Sequence, residues 1–189
     1  MTPEEISTTL TNLFDTGVAA LAPGSWQIET PEFRLLVLLS DDQSWLRVLL
    51  PIAPAEEARP FLAQLMEANF DDTQETRYAL HQEVLWGVFQ HSRESLSEID
   101  LTAAIQNLIL LHQQGLNESF SRLAESQVRQ IIRAVKQQGQ TLETTLQNLD
   151  RFYEEGLMGD LASTPEARQA TLATWRYQLE RLWDEEGKS

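Results

Sequence analysis

The sequence predicts an α+β fold in which an antiparallel sheet with helices is followed by an all-helical C-terminal extension. Over residues 1–115, short runs of branched and aromatic residues bounded by turn residues alternate with helix-like segments. Residues 117–189 contain no strand pattern, and their apolar residues recur at helical spacing. The 189-residue chain therefore divides into an α+β domain over residues 1–115 and a helical extension over residues 116–189.

The first helix is expected to begin with a capping box and to end near Pro23-Gly24. Thr2 is a suitable cap, and Glu5 stands three residues later. Apolar residues follow at helical spacing over residues 6–18.

Five strands and two further helices are expected before residue 115. Residues 33–39 and 45–52 form a hairpin, and Pro51 and Pro54 are expected to stop its second strand. Pro60 must either begin the next helix or kink it, because it lacks a backbone donor. The order is α-β-β-β-α-β-β-α, with strands at residues 25–30, 33–39, 45–52, 76–81 and 84–90, a helix ending near Asn69 and a helix capped by Ser97.

The helical extension is expected to contain about three helices. Gly139 separates the first from the second, and Gly156 and Gly159 end the second. The sequence Ser163-Thr164-Pro165-Glu166 is typical of the start of a third. Basic residues at 122, 129, 133 and 136, with Glu118 and Glu125 nearby, predict an ion-paired helix surface.

Strand alternation predicts which side of the sheet faces the core. Arginine is seldom fully buried without a partner, so Arg34, Arg47 and Arg77 are expected to point outward. If Gln82-Glu83 is a two-residue turn, Ala79 lies opposite Trp86, which fixes the face of the last strand. The expected partner-binding or interface residues on this outward side are then Leu36, Leu38, Trp45, Leu49, Trp86 and Val88.

This outward side carries more apolar surface than a monomer ordinarily leaves in water. Three arrangements would remove this apolar surface from water. The C-terminal helices cover it, a second copy of the chain covers it in a homodimer, or a helix or extended segment of a partner protein binds to it.

No catalytic signature is present, so we expect no enzyme, no cofactor and no metal centre. The eight glycines show no phosphate-loop spacing, and there is no nucleophile elbow. His81 and His91 are expected on opposite faces of their hairpin, and His112 is expected to be structural. Asp41-Asp42 and Asp71-Asp72 are interpreted as solvated loop charges rather than cation sites.

Charge and composition exclude further classes of function. Residues 1–115 carry 17 acidic and 5 basic side chains, so nucleic-acid binding is disfavoured. No run of about 18 apolar residues occurs, so no membrane insertion is expected. The absence of cysteine suits a reducing compartment, and we expect a soluble cytoplasmic protein.

The element order over residues 1–112 resembles the type III secretion chaperone-like fold, which the Tir-chaperone family and the YbjN-like proteins share. The resemblance rests on the capped first helix, the hairpin at residues 33–52, the helix ending at residues 66–70 and the hairpin linking residues 78–81 to 86–89. It implies a non-enzymatic, often dimeric protein that holds a client segment. The helical extension departs from that pattern.

Two functional hypotheses follow. The first is a protein-binding or assembly-chaperone module that holds a partner protein segment on the outward sheet side. The alternative is a regulatory or scaffolding adaptor that binds its partner through the C-terminal helices.

Overall fold

The computed structural model describes residues 1–154 and 165–187 and contains two compact units. The first unit, Met1–Phe120, is built on a six-stranded antiparallel sheet, and the second, Ser121–Ser189, is helical where it is described. The predicted α+β class is confirmed.

The sheet has six strands, which are β1 (Val18–Ala22), β2 (Ser25–Glu29), β3 (Arg34–Leu39), β4 (Trp45–Pro54), β5 (Thr76–His81) and β6 (Val84–Ser92). Their order in the sheet is β1-β2-β3-β4-β6-β5, and all neighbouring strands are antiparallel.

Strand β1 corrects the prediction that the first helix reaches Pro23-Gly24. The capping box of Thr2 and Glu5 is present, but helix α1 (Pro3–Phe14) ends early, and Asp15 takes a φ of 48°. The chain then reverses at Pro23-Gly24, where Gly24 has a φ of 76° that favours glycine. Residues 18–22 carry no polar alternation, so only their pairing with β2 distinguishes the strand from a helix.

Of the two prolines expected to stop strand β4, Pro51 lies within the strand and Pro54 is its last residue. The ladder with β6 shifts register between Pro51 and Ala53, and proline is tolerated at such a bulge because no ladder donor is needed there. Beyond the strand, Pro60 interrupts the helical segment, as the sequence predicts. That segment consists of α2 (Ala55–Ala58), a 3₁₀ turn (Arg59–Phe61) and α3 (Leu62–Asp71).

The β5–β6 hairpin closes through the expected two-residue turn. Gln82 and Glu83 have φ angles of 48° and 60°, as a type I′ turn requires at both central positions. Ala79 consequently pairs with Trp86, which confirms the predicted register.

One hydrophobic core lies between the sheet and helices α1 and α4 (Glu98–Gln114). Ser97 caps α4 through a capping box with Asp100. A Cβ on Gly87 of β6 would lie 3.0 Å from Leu108 Cδ2, so glycine lets helix and strand approach closely. The largest fully buried side chains are Phe89, Ile6, Leu10, Ile28, Leu35, Leu46, Leu50, Leu65, Leu85, Leu101, Ile105 and Leu108.

The helical extension contains the three expected helices, α5 (Asn117–Gln137), α6 (Leu142–Glu154) and α7 (Pro165–Trp183). Gly139 has a φ of 71° between the first two, as the predicted break requires. The expected breaks at Gly156 and Gly159 and the cap at residues 163–164 lie outside the described residues. A small core joins the helices through Val128, Ile132, Leu149, Leu179 and Leu182.

Candidate functional site

The two sides of the sheet differ sharply in what they contact. Leu35 and Val37 on β3, and Leu46 and Val48 on β4, are fully buried against the helices. Alternate positions point to the opposite side, which we call the outer face. Arg34, Arg47 and Arg77 lie on it and are exposed, as predicted.

A continuous apolar row crosses the outer face at its middle. Leu36 pairs with Leu49, and Leu49 pairs with Val88, so three adjacent strands contribute one residue each. Leu38 and Trp86 extend the row, each two residues along its strand. Val88 is only 6% exposed, and the other four are half-buried. The structure thus brings together five of the six predicted residues.

Trp45 stands apart from this row. It begins β4, beside the loop that follows β3, and Arg47 separates it from Leu49 on the same face. Its side chain is 56% exposed. Its cross-strand partner on β6 is Ser92, which is polar. Trp45 therefore borders the apolar row at one end rather than belonging to it.

The loop beside Trp45 is held by Asp42. Its carboxylate accepts hydrogen bonds from Ser40 Oγ at 2.6 Å and from the backbone N–H and the Oγ of Ser44. These bonds, that from Ser40 foremost, lower the pKa of Asp42 to about 2. The carboxylate of Asp42 thus shapes the hairpin loop.

The rim of the outer face is polar and carries the arginines. Arg34 Nη2 lies 2.7 Å from Glu29 Oε1, and this hydrogen bond lowers the pKa of Glu29. Arg77 donates to the side chain of Gln90 on the neighbouring strand. An apolar centre with a polar rim is the usual composition of a protein–protein contact.

The side chains of His91 and His112 contact neighbouring residues within the first unit. His81 and His91 lie on opposite sides of the sheet, because His91 shares the inner side with Phe89 and stacks on its ring. His112 on α4 contacts two backbone carbonyl oxygens, Nδ1 with that of Pro51 at 2.7 Å and Nε2 with that of Glu32 at 3.2 Å. Within residues 1–154 and 165–187, no three histidine or acidic side chains are grouped so as to hold a metal ion.

Sequence reasoning missed two other apolar features. Helical spacing predicts that Met66 lies on the apolar stripe of its helix beside Leu65, but Met66 is exposed on α3 together with Phe70. Periodicity alone could not separate Met66 from its buried neighbour Leu65, since both fall on the apolar stripe. In the helical extension, an apolar groove of about 400 Å³ is lined by residues that include Ile131, Val135 and Trp175.

Comparison with known proteins yields similar folds but no sequence relative. No family model and no curated protein matches the sequence. Among solved structures, the Yersinia pestis type III secretion chaperone SycH, in complex with a fragment of YscM2, is 12% identical. That match covers 60% of this chain and 98% of the other, with a TM-score of 0.47.

Two further structures are similar to the same extent. The ExoU-SpcU complex from the type III secretion system of Pseudomonas aeruginosa is matched at 13% identity over 59% of this chain and 95% of the other, with a TM-score of 0.47. An uncharacterized protein from Methanothermobacter thermautotrophicus is matched at 12% identity over 65% and 99%, with a TM-score of 0.48. A type III secretion chaperone, the class that the element order resembles, is thus among the solved structures to which this chain is similar.

The helices give no sign of a membrane span. Over the described ranges, none combines the length and the apolar character that crossing a bilayer requires.

Proposed function

We propose that this protein is a non-enzymatic, chaperone-type binding module that holds a segment of a partner protein on its outer face. The observation that carries the proposal is the apolar row formed by Leu36, Leu49 and Val88 across three adjacent strands. The core that these strands bury lies on the other side of the sheet, so the row is not needed to hold helices α1 and α4.

The row has the chemistry of a contact surface rather than of a reaction centre. It presents leucine, valine and tryptophan side chains, whose burial contributes about 25 cal/mol per Å² of apolar area removed from water. Trp86 adds a large, rigid ring of the kind that often anchors protein contacts. A partner segment in contact with this row removes that area from water, and the polar rim fixes its position. The cysteine-free sequence suits action in the cytoplasm.

A second candidate rests on the helical extension. The groove lined by Ile131, Val135 and Trp175 offers an apolar cleft between helices, which suits an adaptor that binds through its C-terminal helices. The two candidates place the partner on different units of the chain, so single substitutions separate them.

The first test compares two charged substitutions at apolar sites that are not buried, Leu49 on the outer face and Ile131 in the helical groove. Tagged wild type, Leu49→Asp and Ile131→Asp are used to capture partners from the native cell, and the partners are quantified by mass spectrometry. We expect Leu49→Asp to reduce the recovered partner at least about tenfold, because a charge in an apolar contact must be desolvated. We expect Ile131→Asp to retain it. The opposite pattern would assign the function to the helical groove.

A second copy of the chain is the competing occupant of the outer face. Light scattering on wild type and Leu49→Asp tests for this dimer, since a self-associating face gives twice the monomer mass in the wild type. If the mass halves in the variant, the face is a homodimer seam rather than a site for a different protein.

A further inference from the structure

The outer face has a charge opposite to that of the unit that carries it. Residues 1–115 have a net charge of −12, with only five basic side chains. Three of these five, Arg34, Arg47 and Arg77, lie on the outer face. At the outward-pointing positions of β2 to β6, the only acidic residue is Glu29, and it is paired with Arg34. The basic residues of an acidic unit are therefore concentrated around the apolar row.

Two of these arginines have no acidic partner. The side chain of Arg47 makes no hydrogen bond or ion pair with any residue that the structure describes, and the side chain of Arg77 bonds only to the neutral side chain of Gln90. Neither charge is therefore needed to neutralise a carboxylate within the unit. A guanidinium presents its N–H donors in a planar fork that suits a carboxylate. Arg47 and Arg77 can therefore each bind a carboxylate of a partner.

The two arginines flank the part of the apolar row that Leu49 and Val88 form. Arg47 precedes Leu49 by two residues on β4, and Arg77 lies opposite Val88 on the far side of β6. With strands about 4.8 Å apart and residues about 3.4 Å apart along a strand, their Cα atoms are roughly 12 Å from each other. About four residues of an extended chain cover this span. A segment that crosses Leu49 and Val88 can thus meet one arginine near each end.

We propose that the outer face binds a protein segment in which apolar residues alternate with a few acidic ones, and that Arg47 and Arg77 pair with two of its carboxylates. This inference rests on the proposed function and specifies the chemistry of the partner. The strongly negative remainder of the unit opposes a polyanion, so the segment carries few carboxylates, and these lie at the arginines. Because the pairs are at the rim, they select the partner and its register more than they add to affinity.

The test is selection from a library of short random peptides on the immobilised full-length protein. We expect wild type to enrich peptides that combine leucine, isoleucine, valine or aromatic residues with two Asp or Glu residues about four positions apart. A selected peptide synthesised for titration should bind the double variant Arg47→Glu/Arg77→Glu about tenfold more weakly. Replacing its two acidic residues by lysine should restore binding to the double variant.

Arg59→Glu is the matched control, because Arg59 is an exposed arginine outside the outer face and is 3.5 Å from Glu83. The Arg59→Glu variant should bind the peptide as tightly as wild type does.

If the selected peptides bind through Leu49 but show no acidic preference, or if Arg59→Glu weakens binding equally, the charge inference fails while the proposed function stands. If no peptide is selected, or if binding is unchanged in Leu49→Asp, the proposed function fails with it. A single-stranded oligonucleotide that binds wild type and loses binding in the double variant would overturn the inference in favour of phosphate recognition.

Discussion

The variant Val48→Asp is expected to unfold the first unit, whereas Leu49→Asp is expected to leave it folded. The two residues are neighbours on β4, but Val48 is fully buried against the helices and Leu49 is half-buried on the outer face. An aspartate at position 48 must either bury an unpaired charge or become protonated at a cost of several kcal/mol. Small domains are stable by only about 5–15 kcal/mol, so that cost removes much or all of the stability.

Urea denaturation followed by tryptophan fluorescence and far-ultraviolet circular dichroism measures this difference. We expect Leu49→Asp to shift the free energy of unfolding by no more than about 1 kcal/mol, because the carboxylate remains in contact with water. Equal destabilisation by the two substitutions would contradict the assignment of the two sheet faces and, with it, the candidate site.

The variant Arg129→Met is expected to destabilise the helical extension. The guanidinium of Arg129 lies 2.8 Å from Glu125, 2.7 Å from Glu185 and 3.1 Å from Glu186. It therefore joins the end of the chain to α5, and methionine leaves three carboxylates without their shared cation. Partly exposed ion pairs contribute about 0.2–1 kcal/mol each, so we expect a loss of about 1–2 kcal/mol.

The pH dependence of the stability of the helical extension provides an internal control for this prediction. The pKa of Glu125 is lowered by its hydrogen bonds from Arg181 and Arg129, and that of Glu186 by those from Arg133 and Arg129. A lowered pKa in the folded state means that the stabilisation is complete above the ordinary value of 4.5 and is lost as the pH falls below it. The difference in stability between wild type and Arg129→Met is measured by amide hydrogen exchange in residues 121–154. This difference should be present at neutral pH and become smaller in acid. A constant difference would show that packing, rather than charge, is responsible.

Much of the fold was predictable because its signals are local. The capping boxes at Thr2 and Ser97 mark helix starts through side chains three residues apart. The register of the β5–β6 hairpin follows from the length of its turn, although Gln82-Glu83 is a poor match to the preferred composition. The outward direction of Arg34, Arg47 and Arg77 follows from the cost of burying an unpaired charge.

The missed features depend on tertiary context. Residues 18–22 become β1 because β2 offers a free edge for pairing, which no feature of the segment itself reveals. Pro51 stays within β4 because a register shift follows it, and a bulge has no local signature there.

The apolar row was predictable for a different reason. Period-two alternation placed Leu36, Leu38 and Leu49 on one side of the sheet. The separation of Trp45 from that row emerges only from the cross-strand register, in which Trp45 is paired with Ser92. That these residues bind a partner remains a prediction.

Site-specific photo-cross-linking tests most directly whether the outer face holds a partner segment. The photoreactive residue p-benzoylphenylalanine replaces Trp86 on the outer face or, in the control, Ile99, which is exposed on α4. After irradiation in the native cell, mass spectrometry identifies the attached peptides. We expect position 86 to yield one segment of another protein, containing apolar and acidic residues, and position 99 to yield none. Attachment of that partner at position 99 but not at position 86 would contradict the account.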